Sequence, residues 1–114
     1  MPRLFYRIVK SERPTRDDFL SHALKGLKPR NPTPKSLHEY NGVSVLDTAQ
    51  HARAWAERLP YLGEYIAELH IPDDVSIVFE GPNPRGHGNL YETSPEELLR
   101  YVQAIYHFTD VPIP

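Results

Sequence analysis

The chain has 114 residues, enough for one domain around one core. Its 39% hydrophobic and 25% charged residues fit a globular chain and argue against a disordered one. A formal net charge of −2 argues against nucleic acid as a partner, and the absence of cysteine excludes disulfides and thiolate chemistry. The same absence favours a reducing compartment, so the expected location is cytoplasmic. No run approaches the roughly 20 apolar residues of a membrane helix. The opening "MPRLFYRIVK" is too short and too alternating for a secretory leader, so no membrane association is expected.

The segment "RLFYRIV", residues 3–9, is rich in aromatic and β-branched residues and predicts a strand. Leu4, Tyr6 and Ile8 share one face, and Phe5, Arg7 and Val9 the other. Both faces carry apolar residues, which predicts a central strand with Arg7 among apolar neighbours. Such a guanidinium needs a partner or a ligand. Next, Thr15 with Asp18 has the form of a capping box, and Phe19, Leu20, Ala23, Leu24 and Leu27 recur at helical spacing. A helix is predicted over 15–26, with Gly26 near its end. Residues 27–42 contain three prolines and predict a long irregular loop, with Lys28, Arg30 and Lys35 as a solvated basic cluster.

"GVSVLDT" predicts a short strand ending in a turn. Asp47 is the expected cap of the following helix, with Gln50 at its third position. Ala52, Trp55, Ala56 and Leu59 lie on one helical face, and Trp55 is assigned to the core. "EYIAELHI", residues 64–71, and "VSIVFE", residues 75–80, both alternate and predict a hairpin around Pro72–Asp74. "GPNPRGHGN", residues 81–89, reads as a loop, followed by a short strand "LYE". In "SPEELLRYVQAIYHF", Ser94 caps, Pro95 fits the first helical position and Glu97 completes a capping box. Leu98, Leu99, Val102, Ile105 and Tyr106 supply a buried stripe, predicting one helix through the whole segment. The expected fold is α+β: a single domain over residues 1–114, with a small mixed or antiparallel sheet and about three helices.

Six histidines are present, but none forms HxH or HExxH, so no metal site is expected. The glycines of "RGHG" could cradle an anion on backbone N–H groups beside Arg85, or could simply permit a tight turn. The loop is neither a P-loop nor a dinucleotide fingerprint. Ser44, His87 and Glu92 supply the residue types of nucleophilic catalysis without a local signature.

The run "GVSVLDTAQHARAWAERLPYLGEYIAELHIP", with "LFYRIV" before it, resembles small bacterial proteins of the ADP-ribosyltransferase-like fold. The likeness extends over about residues 3–80 as an order of elements. It implies NAD as substrate, with Arg7 contacting the nucleotide and Ser44 lining the nicotinamide pocket. It also implies a glutamate on a late strand that stabilises an oxocarbenium-like transition state. No late E-x-E or Q-x-E is present here. Glu92 in "LYET" is the nearest candidate, with His87 the alternative. Tyr40 or Tyr91 could stack on the nicotinamide ring, as aromatic faces favour such planes. This reading requires Arg7, Ser44 and either Glu92 or His87 to line one cleft, not to sit on opposite faces of the sheet. The bland alternative for Arg7 is an ion pair with Glu68 or Glu80.

Two further readings stand beside it. A non-enzymatic interaction module, of the toxin–antitoxin or immunity type, predicts a protein partner and an exposed apolar patch around Tyr61, Leu62 and Tyr65. A small hydrolase predicts His87 within hydrogen-bond reach of a nucleophile.

Overall fold

β1 (Arg3–Val9) forms where the sequence alternates, and both of its faces are covered. The computed structural model describes residues 2–114. Around β1 the chain builds one six-stranded sheet, all pairs antiparallel, in the order β4-β5-β2-β1-β3-β6. The other strands are β2 (Val43–Leu46), β3 (Tyr65–Ile71), β4 (Val78–Glu80), β5 (His87–Tyr91) and β6 (Val102–His107). Three α-helices complete an α+β domain: α1 (Pro34–Tyr40), α2 (Ala49–Arg58) and α3 (Pro95–Arg100). No helix among the described residues is long and apolar enough to cross a membrane.

The sheet separates two apolar clusters. On one face Phe5 and Val9 pack with Phe19, Leu69, Ile77 and Leu98. On the other, Tyr6, Leu46 and Ile66 meet Ala49 and Ala52 of α2. The small alanines let α2 lie close against the strands. Each fully buried aliphatic or aromatic side chain contributes about 1.5–3 kcal/mol relative to exposure. Most of the fold's stability therefore lies in these two layers.

Several local expectations are corrected. The helix predicted over 15–26 is a 3-10 turn at Arg16–Phe19, capped by the expected Thr15–Asp18 box. Leu20 is extended, and a separate turn follows at residues 22–26. Buried Ser21 starts that second turn by accepting the Leu24 N–H on its hydroxyl. The loop predicted at 27–42 contains α1, capped by Thr33 with Pro34 in its first turn. Thr48, not Asp47, caps α2 by accepting the His51 N–H, while the Asp47 carboxylate bonds the His51 ring at 2.7 Å.

The predicted β3–β4 hairpin does not form. β3 pairs with β1 and β6, while β4, shorter than expected, pairs with β5 at the far edge. The 72–77 connection returns across one face, where Ile77 is buried and its carbonyl accepts from Arg3 at 2.8 Å. The single helix predicted after Ser94 stops at Arg100, and Val102–His107 is β6. Its valine, isoleucine and tyrosine suit a pleated surface, and β3 offers an open edge. Pairing from Tyr65↔His107 to Leu69↔Val102 outweighs the helical spacing.

Candidate functional site

β1 and β2 pair at Tyr6↔Leu46 and then part. Continued pairing would set Ile8 opposite Ser44; the Arg7 guanidinium enters the gap instead. Its Nη1 donates to the Ser44 carbonyl at 2.6 Å and its Nε to the Asp18 carbonyl at 2.6 Å. The Asp18 carbonyl is free for this because the 3-10 turn ends there, with no following helical N–H to bond it. Burial lowers the Arg7 pKa to about 10, partly offset by the Asp18 carboxylate, so the group stays charged at neutral pH. The expected partners Glu68 and Glu80 are engaged elsewhere, with His70 at 2.6 Å and His38 at 2.8 Å.

A cleft of about 610 Å³ opens at this split. Arg7, Tyr40, Ser44, Trp55, His87 and Asn89 line it, with Lys10, Asp17, Asp18, His22, Lys25, Glu39, Tyr61 and Leu62 toward its walls and rim. By strand alternation Arg7 belongs to the face of Phe5 and Val9, whereas Ser44 belongs with Leu46 on the other. The expectation of a common sheet face is thus corrected. The residues share a cleft because the strands have separated and the guanidinium reaches through to the β2 main chain.

Ser44 and His87 do share a face, since Ser44 stands opposite Asn89 and Leu46 opposite His87. Ser44 Oγ lies 2.6 Å from His87 Nε2. Trp55 stacks on the His87 ring, with centroids 5.2 Å apart and planes 23° from parallel. Burial lowers the His87 pKa, with Glu39 acting weakly in the opposite sense, so the imidazole is neutral at pH 7. With the proton on Nδ1, Nε2 accepts from the Ser44 hydroxyl.

The loop before His87 is held from several sides. Asn83 Oδ1 accepts from the N–H groups of Arg85 at 2.9 Å and His87 at 3.0 Å. Gly86 donates to the Asn83 carbonyl, and the Gly86 carbonyl accepts from Asp47. Trp55 Nε1 donates to the Arg85 carbonyl at 3.3 Å. The N–H groups of Arg85, Gly86 and His87 are all spent within the protein, so this loop is a built turn, not an anion cradle. Gly86 has φ 82°, and a Cβ there would lie 2.2 Å from His51 Nδ1, so only glycine fits.

Tyr91 and Glu92 do not line the cleft. Tyr91 stacks on His38, with centroids 4.3 Å apart, and Glu92 is exposed beyond β5 with φ 60°. Trp55, assigned to the core by its spacing, is half-buried and forms part of the cleft wall. Of the residues expected in an apolar patch, Tyr61 is exposed while Leu62 and Tyr65 are half-buried; Tyr61 and Leu62 belong to the cleft wall, and Tyr65 packs edge-on against His107. His22, Lys25, Glu39 and Asn83 were not singled out for the site by sequence. "NPRG" does carry the turn chemistry that makes Asn83 a loop brace, whereas nothing local marks Glu39 as a cleft residue. No group of three or more His, Asp or Glu among the described residues could hold a metal ion.

No family model, curated protein or solved structure matches the chain.

Proposed function

We propose that this chain is an ADP-ribosyltransferase-like domain whose β1–β2 cleft binds NAD as substrate. The observation that carries the reading is that Arg7, Ser44 and His87, from three strands, line one cleft of about 610 Å³; the common sheet face expected of them is not met, and the separation of β1 from β2 brings Arg7 there instead. That volume lies within the range of small-molecule sites. NAD offers phosphates, a planar cationic ring and hydroxyl-rich sugars. The cleft offers a guanidinium, the stacked Trp55–His87 pair, the Tyr40 ring and the polar groups of Ser44 and Asn89.

Transfer breaks the bond between ribose and nicotinamide. Nicotinamide leaves with the bonding electrons, and an acceptor lone pair forms the new bond as the acceptor loses a proton. Positive charge developing on the ribose calls for a nearby carboxylate. Glu92 is outside the cleft. Asp18 is engaged with the Thr15 and Lys10 N–H groups and Asp17 with Arg16. Glu39 lines the cleft, and among the described residues its carboxylate has no hydrogen bond or ion pair, so we assign it this role. Neutral His87 suits the acceptor's proton.

Titration calorimetry with NAD is the direct test. Saturable binding is expected, weakened about tenfold by His87→Ala or Trp55→Ala. Glu39→Gln should retain binding and lose nicotinamide release. Absence of saturable binding overturns the reading.

The 2.6 Å Ser44–His87 contact favours a second reading, a hydrolase in which His87 activates Ser44. No carboxylate among the described residues bonds His87 to orient its ring as a triad would. Covalent labelling of Ser44 by a fluorophosphonate, without NAD binding, would select this alternative.

A further inference from the structure

We propose that His22, Lys25 and the outward edge of Arg7 form an anion subsite at the cleft rim, which takes a phosphoryl group of the bound ligand. The inference deepens the nucleotide reading of the same cleft. It rests on that reading for the ring-bearing end of the ligand and on the rim's own charges for the anion.

The turn carrying His22 and Lys25 is anchored at both ends. Buried Ser21 accepts from the Leu24 N–H at 3.2 Å, and the Ala23 N–H donates to the Tyr40 carbonyl at 2.9 Å. The His22 ring rests on Tyr40 with centroids 4.8 Å apart. His22 and Lys25, three positions apart on one turn, both line the cleft, as does Arg7. Arg7 uses Nε and Nη1 on main-chain carbonyls, and among the described residues Nη2 has no acceptor. No side-chain nitrogen is both buried and unpartnered among the described residues, so Nη2 has solvent access. Among the described residues, neither the Lys25 ammonium nor the His22 ring has a hydrogen-bonded partner.

Local charge agrees. No Asp or Glu occurs between Phe19 and Glu39, while Lys25, Lys28, Arg30 and Lys35 do. In a chain of net charge −2, this segment is a positive stretch, and it brings Lys25 to a cleft whose carboxylates, Asp17, Asp18 and Glu39, come from outside it. His22 registers it: burial first, then Lys25 and Arg7, lowers its pKa. The groups facing His22 are Lys25 on its own turn, Arg7 from β1, and Tyr40 with its neighbour Glu39 from α1. An oxyanion set among Arg7, Lys25 and His22 reverses the repulsion, so His22 takes up a proton on binding.

The test is titration of pyrophosphate into the full chain at low ionic strength, followed by calorimetry and by the His22 ring resonances. NAD is titrated in parallel. Pyrophosphate is expected to shift the His22 resonances and to bind more tightly at pH 6 than at pH 8. His22→Ala and Lys25→Ala should each weaken it about tenfold. Both side chains are exposed, so these variants keep the fold. Lys28→Ala, outside the cleft lining, should change it little. Equal weakening by Lys28→Ala, or wild-type affinity in the His22 and Lys25 variants, overturns the subsite. Pyrophosphate binding that depends on His22 and Lys25, without NAD binding, keeps the subsite and removes the NAD reading. NAD binding indifferent to both variants does the reverse.

Discussion

Along its edge toward β3, β1 runs seven residue pairs, from Arg3↔Ile71 to Val9↔Tyr65. Along its edge toward β2 it pairs at Tyr6↔Leu46 and then separates. The two edges belong to one strand and share its residues, yet they do different things. On the β3 side backbone groups satisfy one another, and Leu69, Ile66 and Ala67 are fully buried. On the β2 side a guanidinium replaces the ladder, bonding a β2 carbonyl and a turn carbonyl at 2.6 Å each. A closed ladder excludes space; a ladder opened by one charged side chain leaves a cleft with that charge at its edge. The main packing and the candidate site thus lie on opposite sides of β1.

The largest effect is expected on the closed side. Leu69→Ala removes a fully buried side chain opposite Phe5 and should cost about 3–4 kcal/mol in chemical denaturation. On the open side, Arg7→Met keeps volume but strands the Asp18 and Ser44 carbonyls, for a loss of about 2 kcal/mol. Arg7→Lys should recover less than half of this, because an ammonium lacks the fork that reaches both carbonyls. If Arg7→Met proved as stable as the wild type, the guanidinium would not be what braces the split. Ser44→Ala should change stability by under about 1 kcal/mol while weakening ligand binding, since the Ser44 carbonyl that Arg7 uses survives the change.

A pH series sharpens the contrast further. His87 and His22 both lie by the cleft, and burial lowers the pKa of each. The folded form therefore binds fewer protons than the unfolded chain. Their contribution to stability is complete above the unfolded value of about 6.5 and is lost as the pH falls through the folded values. Thermal melts from pH 7.5 to pH 5 should show this loss, reduced in His87→Gln; an equal slope in that variant would remove His87 as a contributor. The smallest effect is a gain. Glu92 holds φ 60°, so Glu92→Gly should leave the cleft untouched and raise stability by up to about 1 kcal/mol.

Local signals were read best where local chemistry decides the outcome. The Thr15–Asp18 box, Ser94 with Pro95, and the alternation of β1 and β3 all appear as their residues suggest. The two misplaced strands have one physical cause. "VQAIYH" fits a helical stripe and a strand equally, and the open edge of β3 chose between them. The alternation of "VSIVFE" predicts pairing with its sequence neighbour, but β5 bonds its last three residues at the opposite edge. The helix read at 15–26 broke at Leu20, and that break freed the Asp18 carbonyl for Arg7.

The candidate site divides in the same way. The sequence singled out Arg7 because a cation between apolar neighbours needs a partner, and it named Ser44 and His87 by residue type. It could not assign Arg7 its partners, since a carbonyl acceptor exists at every position and leaves no mark in the residue types. Nor could it place Trp55 on the cleft wall, Glu39 facing into the cleft, or Tyr91 and Glu92 outside it. By itself the sequence determined which segments alternate, which turns are capped and which polar group would be costly to bury. Tertiary structure decided where the ladder between β1 and β2 stops, because strand pairing is settled by the competition of distant edges. The cleft exists only where that competition leaves a gap.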